Sequence, residues 1–348
     1  METSCDETAA AVMGRGSRLL ANVIASQAAL HRRFGGVVPE VASRRHLETV
    51  LPVVDQALSE AGTSLAGLDA VAVTAGPGLV GSLLVGVTVA RVLALALELP
   101  LVGVNHLEAH LYAHLLPSEG AQGFALPAVC LVVSGGHSDL IYWRDHGDLE
   151  VLGRTRDDAA GEAFDKVARL LGLGYPGGPA LDRLARRGNA HAVSFPRAYL
   201  EEGSHDFSFS GLKTAVASYL RRVEREGRAV EHADVAASFE QACVEVLAEK
   251  LTRAAAQRGV RGVGVCGGVA ANTALRREVR ARAVARGLAA WIPDPGFCTD
   301  NAAMVAAAAW HALARGTARL DPIVDPNLPV DGVDSGAGGT GDKPRNPS

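Results

Sequence analysis

His106 and His110 stand four residues apart in the run Asn105 to Leu116, a spacing at which two imidazoles can do chemistry together. If the run is helical, positions four apart share a face, and the pair can meet one metal ion. Ordinary helix-face histidines share this spacing. Glu108 lies two residues from each and points elsewhere, so the H-E-x-x-H order of a zinc peptidase is absent. A metal site needs at least a third ligand. His114 continues the row but falls one turn too far along a straight helix. Asp300, in Cys298-Thr299-Asp300-Asn301 before an Ala-rich run, is either a helix N-cap or a carboxylate for the histidines. Two histidines and one carboxylate with open positions suit Fe(II), with Zn as the alternative.

Three strand ends break into glycine-rich turns, at 76–81, 134–137 and 267–268. Glycine there lets backbone N–H groups approach an anion, and the first and third turns lead into helix N-termini. One such turn is ordinary βα chemistry. Three of them favour a nucleotide or phosphate ligand. No G-x-x-x-x-G-K-[ST] occurs, and no strand-G-x-G-x-x-G-helix unit, which excludes a P-loop ATPase and weakens a dinucleotide dehydrogenase. Carboxylates stand beside glycines at Asp157, Asp158, Glu162, Asp165 and Asp182. Such residues receive ribose hydroxyls or close turns. The segment Asp206 to Thr214, with two aromatics, three hydroxyls and a lysine, is either substrate-facing or a turn staked to the core.

The elements that must position these residues alternate between Val-rich and Ala/Leu/Arg-rich runs, an α/β pattern. With 348 residues, two domains are expected. Strands are expected at 9–13, 68–74, 101–104, 128–133, 139–143, 262–266 and 289–292. Helices are expected at 43–61, through Leu97, at 105–116, near 234–258, up to Gly287 and after Asp300. The region 154–215 reads as turn-rich, and from Asp321 the composition predicts an unordered tail through Ser348. The uncharged stretch from Ala70 to Ala90 is long enough to span a membrane, but Gly76-Pro77-Gly78 cuts it into strand, turn and helix. Five scattered cysteines without a C-x-x-C pair fit a reducing cytoplasm, and no export signal opens the chain. A net charge of −4 does not advertise nucleic-acid binding. Any RNA would need local patches, for which Arg276, Arg277, Arg280, Arg282 and Arg286 form one cluster and Arg183, Arg186 and Arg187 another. A solvated helix face is the bland reading of each.

Nine segments in order resemble the universal tRNA threonylcarbamoyladenosine transferase family, bacterial type, once described as sialoglycoprotein endopeptidases. They are ETSCDET (2–8), TAGPGLVGSLLVG (74–86), HLEAH (106–110), VSGGHS (133–138), GEAFDKVAR (161–169), GYPGGP (174–179), DFSFSGLKTAV (206–216), GGVAAN (267–272) and CTDNAAM (298–304). The resemblance implies a duplicated actin-like, ribonuclease H-like α/β fold, two halves with mixed central sheets flanked by helices. The halves would be 1–127 and 128–299, with the final helix, 300–316, packing back on the first. It implies transfer of threonylcarbamoyl from threonylcarbamoyl-AMP to the exocyclic amine of the tRNA adenosine 3′ of the anticodon. By position, His106, His110 and Asp300 match the metal ligands. Val133, Ser134, Gly135, Gly136, His137, Asp165, Gly178, Asp182 and Asn272 match substrate-contacting positions, and Asp6 and Glu7 match acidic residues near the reacting end. Implied partners are a catalytically silent actin-like paralogue, as heterodimer partner, and a small P-loop ATPase. Rival readings are a sugar kinase or ATPase of the same fold and, on HLEAH alone, a metallopeptidase. Family members carry an apolar strand before the Glu-Thr-Ser, so either the start lies upstream of Met1 or the chain lacks a central strand of its first sheet.

Overall fold

The structure is a computed structural model and describes residues 1–15, 18–199, 201 and 203–331. β-Branched runs form its strands, because their stiff side chains fit a pleated surface, and the Ala/Leu-rich runs between them form helices. A hairpin of β1 (Glu7–Gly14) and β2 (Arg18–Ser26) leads through the short α1 (Ala28–His31) to the long α2 (Pro39–Glu60). Then β3 (Val71–Gly76), α3 (Val80–Leu97), β4 (Leu101–Asn105) and α4 (His106–Tyr112) follow. The second half opens on a meander of β5 (Ala128–Val133), β6 (Ser138–Asp145) and β7 (Asp148–Gly153). Four helices come next, α5 (Ala160–Leu170), α6 (Gly177–Ala185), α7 (Ser210–Arg225) and α8 (His232–Arg258). The chain continues through β8 (Gly262–Cys266), α9 (Thr273–Ala285), β9 (Ala289–Trp291), α10 (Pro295–Cys298), α11 (Ala302–Arg315) and β10 (Arg319–Leu320).

The second sheet has the order β7-β6-β5-β8-β9, antiparallel through the meander and parallel from β5 to β8 to β9. β5 is buried at every position, as a strand covered on both faces must be. Its alternate residues serve two cores. Val129, Leu131 and Val133 pack with Phe164, Phe239 and Leu251 of the helices on one face. Cys130 and Val132 pack with Leu107, Leu111 and Met304 on the other. That second core fixes α4 and α11 against the strand, and α11 also lies on β1, β2, β3 and β4.

In the first half β3 and β4 are parallel, β10 closes their edge, and the β1–β2 hairpin forms its own two-stranded sheet. Met1 and Glu2 bridge the two. Glu2 exchanges backbone bonds with Ala9, the Met1 ammonium donates to Ala72 O, and Thr74 N donates to Met1 O. These two residues therefore tie the hairpin to the parallel strands.

The expected α/β class with mixed sheets and flanking helices is what the chain adopts. Two expectations need correction. The turn-rich reading of 154–215 missed α5, α6 and α7, because glycines and acids at their starts masked short apolar faces. The tail was expected to be unordered from Asp321, yet residues 321–331 pack on the first half. Asp325 N donates to Ala75 O, Gly78 N donates to Pro326 O, and Val330 is buried. The approach is close enough that a Cβ on Gly76 would lie 1.8 Å from Asp325 O. Residues 332–348 of the expected tail lie outside the described residues. α3 is long and apolar enough, by length and composition, to cross a membrane. Its Val87, Ala90 and Ala94 are packed in the core beside β3, while Leu84, Val92 and Leu95 are exposed.

Candidate metal and nucleotide site

β4 runs directly into α4, and Asn105 at the junction is fastened on both sides. Its Oδ1 caps the helix by accepting from Leu107 N at 2.9 Å and Glu108 N at 3.2 Å. Its Nδ2 donates to Leu328 O and Pro329 O at 3.1 and 3.0 Å. The capped helix presents the His106 and His110 rings to each other, centroids 4.7 Å apart and nearly perpendicular. Asp300 arrives from the loop before α11, its Oδ1 3.2 Å from His110 Nε2 and 3.7 Å from His106 Nε2. One ligand atom from each of the three residues lies within 4.8 Å of the others. The N-cap duty that could have claimed Asp300 falls to Asn301, whose Oδ1 accepts from Met304 N. The carboxylate is left for the histidines.

The donor set fits a cation. His110 is fully buried, and neither ring nitrogen has a hydrogen-bond partner among the described residues despite the nearby carboxylate. A buried ring left so would forfeit 1–3 kcal/mol (roughly), which coordination recovers. His106 is supported from behind: its Nδ1 lies 3.2 Å from Glu2 Oε2 and 3.2 Å from Ser4 Oγ. Glu2 is itself held by Thr74 Oγ1 and Ser4 N. A carboxylate on Nδ1 fixes the tautomer that leaves Nε2 facing Asp300. Burial works against charge on His106, but Asp300 and Glu2 outweigh it and lift its pKa to about 9. Burial likewise opposes ionisation of Asp300, yet the two histidines hold its carboxyl well below the usual range. His114, by contrast, bonds Leu111 O, stacks on Phe124 and is pushed down to about 4 by burial, outside the cluster. Reasoning from sequence missed Glu2, since no spacing links positions 2 and 106.

The turn after β5 lies next to this centre. Ser134 N donates to His137 O, His137 N donates to Ser134 Oγ, and a Cβ on Gly135 or Gly136 would meet open space. Burial, then the charges of His106 and His110, push His137 down to about 4 and keep it neutral. α5 begins against the turn, with Gly161 N donating to Ser134 O. Gly267 abuts Val133 at a φ of +89°, where a Cβ would lie 2.4 Å from Val133 O. Only glycine fits there. The second and third glycine turns therefore converge on the C-terminal end of β5. Asp6 and Glu7 lie near enough to Asp300 to feel its charge, and burial raises both carboxyls, Glu7 to about 8.

The other expected substrate residues are tied into the frame. Asp165 Oδ1 accepts from Gly177 N and Gly178 N at the start of α6. Asp182 accepts from Thr273 N and Oγ1 and from Asn272 Nδ2. Asn272 caps α9 through Leu275 N and donates to Glu240 Oε1 at 2.6 Å. Glu240, unremarked in the sequence, is raised to about 7, chiefly by burial and then by Asp182. The odd segment 206–214 resolves as a helix start: Asp157 accepts from Ser208, Phe209 and Ser210 while Phe207 and Phe209 are buried. It is staked to the core. Of the eight arginines in the two sequence clusters, Arg282 and Arg286 pair with Glu249, Arg186 pairs with Asp182, and Arg276 donates to Ala270 O and Pro293 O, while Arg183, Arg187, Arg277 and Arg280 are in no ion pair among the described residues.

The profile of a family described as tRNA N6-adenosine threonylcarbamoyltransferase matches residues 18–307. A curated protein of that name from Moorella thermoacetica is 56% identical over 95% of this chain and 96% of its own. Another from Symbiobacterium thermophilum is 56% identical over 97% of each. Among solved structures, HypF from T. kodakarensis matches with a TM-score of 0.56 at 18% identity, over 77% of this chain and 44% of that one. An activator of 2-hydroxyisocaproyl-CoA dehydratase from Clostridium difficile matches at 0.50 and 14%, over 90% and 93%. At such identities these likenesses show the fold alone, the actin-like α/β architecture.

Two outcomes are expected from this geometry. His106→Ala or His110→Ala should cut bound metal severalfold in elemental analysis, whereas His114→Ala should leave it nearly unchanged. Equal loss in all three would refute the triad. Glu240 has a raised folded pKa, so its contribution to stability is fully present below pH about 4.5 and is lost as pH rises through about 7. The loss is at most about 3 kcal/mol. Glu240→Gln, which keeps the acceptor for Asn272, should flatten the fall in melting temperature between pH 5.5 and 8.5; parallel curves would count against the assignment.

Proposed function

The chain belongs to the tRNA N6-adenosine threonylcarbamoyltransferase family, and on that premise we propose how its site performs the reaction. The enzyme transfers threonylcarbamoyl from threonylcarbamoyl-AMP to the exocyclic amine of the adenosine 3′ of the anticodon, in tRNAs reading codons that start with A. AMP is released. The observation that carries this reading is the His106–His110–Asp300 cluster standing beside the turn 134–137 at the end of β5.

The donor is a mixed anhydride, so its leaving group is already installed. The acceptor amine is a poor nucleophile because its lone pair is delocalised into the purine ring. The protein's task is therefore to orient both and to stabilise charge developing on carbonyl and phosphate. Backbone N–H groups of Gly135 and Gly136 supply fixed positive ends for the phosphate, while those of His137 and Gly161 hold the turn in shape. Asp165 and Asp182, already braced by backbone donors, present their remaining oxygen capacity to the ribose hydroxyls, with Gly178 leaving room beside them. Val133 ends the strand on which the adenylate rests. A metal held by His106, His110 and Asp300 supplies Lewis-acid polarisation when bound, and the donor set favours Fe(II) over Zn. Glu7, raised by burial to about 8 and with a buried Oε2 lacking a hydrogen-bond partner among the described residues, accepts the amine proton from its ionised fraction, which grows as pH rises toward 8, and the charge of Asp6 adds to that shift.

We assign the silent actin-like paralogue to the exposed leucines of α2 and α3, Leu47, Leu51, Leu84 and Leu95, an apolar face that one partner would cover. A small P-loop ATPase completes the assembly. The halves divide at about residue 127, with α11 belonging to the first. We place the enzyme in the cytoplasm, since its acceptor is tRNA and its five cysteines are unpaired.

Gly178→Ala gives a clean test of nucleotide binding, because the added Cβ meets nothing within 4 Å and Ala is the better helix residue. Adenylate affinity should fall about tenfold, or roughly 1.4 kcal/mol, at unchanged melting temperature; unaltered affinity would move the adenylate away from α6. The reaction itself is read by mass spectrometry of nucleosides from tRNA incubated with donor, metal and partner proteins. The expected adenosine gains threonylcarbamoyl. A kinase would convert ATP to ADP and phosphorylate a small acceptor, a peptidase would cleave protein without nucleotide, and no gain would overturn the reading.

A further inference from the structure

The chain carries four more acidic than basic residues, yet one face reverses that sign. α7 packs on α5, and between them lies an open groove of about 360 Å³. Lys166, Arg169, Lys213 and Arg221 line it, with the small hydroxyls of Thr214 and Ser218 on its wall and no carboxylate among the lining residues. Lys166 and Lys213 share Asp158 at 2.8 Å each, and Lys166 also reaches Glu162. The ion pairs of the described residues include neither Arg169 nor Arg221. Four cations thus face two carboxylates, leaving about two positive charges unneutralised. Beyond the groove, α7 adds the exposed Arg222 and Arg225, which line a second cleft of similar size.

The groove begins one helical turn from a residue of the candidate nucleotide site. Arg169 stands one turn along α5 from Asp165, whose carboxyl burial raises and the Arg169 charge partly offsets, and it donates to Gly35 O. Along α7, Lys213, Ala217 and Arg221 form an i, i+4, i+8 row about 12 Å long, the reach of a few consecutive phosphates. Hydroxyls and cations without aromatics suit a sugar–phosphate backbone rather than base edges. An acidic protein would be expected to find an apolar anchor, and Leu170 is the one sizeable hydrophobe here.

We propose that the α5–α7 groove holds the phosphate backbone of the tRNA beside the adenosine being modified, an assignment that rests on tRNA being the substrate. Arg221 is the residue to change, because it is exposed and ties down no other element. In the assembled enzyme, Arg221→Glu should weaken tRNA binding about tenfold near physiological salt and raise KM for tRNA. It should also flatten the plot of log Kd against log salt by about 0.7–0.9 per lost phosphate contact. Melting temperature, metal content and adenylate affinity should not change. Arg44→Gln, an exposed change on α2, serves as the control and should leave tRNA binding as it was. An unchanged affinity and salt slope in Arg221→Glu, with product still formed, overturns the groove and leaves the activity standing. Loss of a protein partner with tRNA affinity intact also overturns it. If the unaltered enzyme neither binds nor modifies tRNA, the functional reading falls first and takes the groove's occupant with it.

Discussion

Glu2, His106 and Asp300 place two carboxylates around one imidazole in the protein interior, and most of the architecture is an answer to what that arrangement requires. Removing charges from water costs several kcal/mol each (roughly), and attraction offsets this only when geometry and hydrogen bonds are held closely. The three residues come from the first residues of the chain, the β4–α4 junction and the loop before α11. Each must be fixed by something other than their mutual attraction. Thr74 and Ser4 fix Glu2, Asn105 and the segment to Pro329 fix α4, and Asn301 starts α11. His110, buried with no hydrogen-bond partner among the described residues, then turns its Nε2 to within 3.2 Å of Asp300 Oδ1.

A similar economy governs the nucleotide side. Carboxylates that sequence reasoning reserved for a ligand are first used as struts: Asp165 on α6, and Asp182 with Asn272 and Glu240 between α6, α8 and α9. A strut can also contact a ribose, since each carboxylate oxygen has more than one lone pair. Substitution at such a residue mixes lost binding with a lost cap, which is why a position facing open space separates the two effects. The bracing holds these carboxylates in place before any substrate arrives, which lowers the ordering entropy spent at the moment of reaction.

Electrostatically the molecule is divided. Around His106 and His110, Asp6, Glu7 and Asp300 lie close enough to feel one another's charge, and burial keeps Glu7 mostly neutral below about pH 8. That neutrality lets a polyanionic substrate approach an acidic pocket. The cations that would draw it lie to one side, on α5 and α7, where they do not disturb the histidines.

Much of this was legible in the chain itself. The i, i+4 spacing placed His106 and His110 on one face, the continuous apolar run 128–133 placed β5, and glycine at 267 marked where backbone must approach closely. Such features depend on local geometry, which sequence dictates directly. The helices at 160–185 and 210–225 were less legible, because their apolar faces are short and their starts look like turns. What only the tertiary structure decided are pairings over long separations. Glu2 against His106, Asp300 rather than His114 beside His110, Glu240 against Asn272, and the packing of 321–331 have no signature in spacing. The same holds for charge. Three of the eight arginines in runs that looked basic in sequence are paired with Glu249 and Asp182, while the groove gathers cations from two helices about fifty residues apart. Net field depends on which opposite charges lie within a few ångströms, and only the folded chain sets that distance.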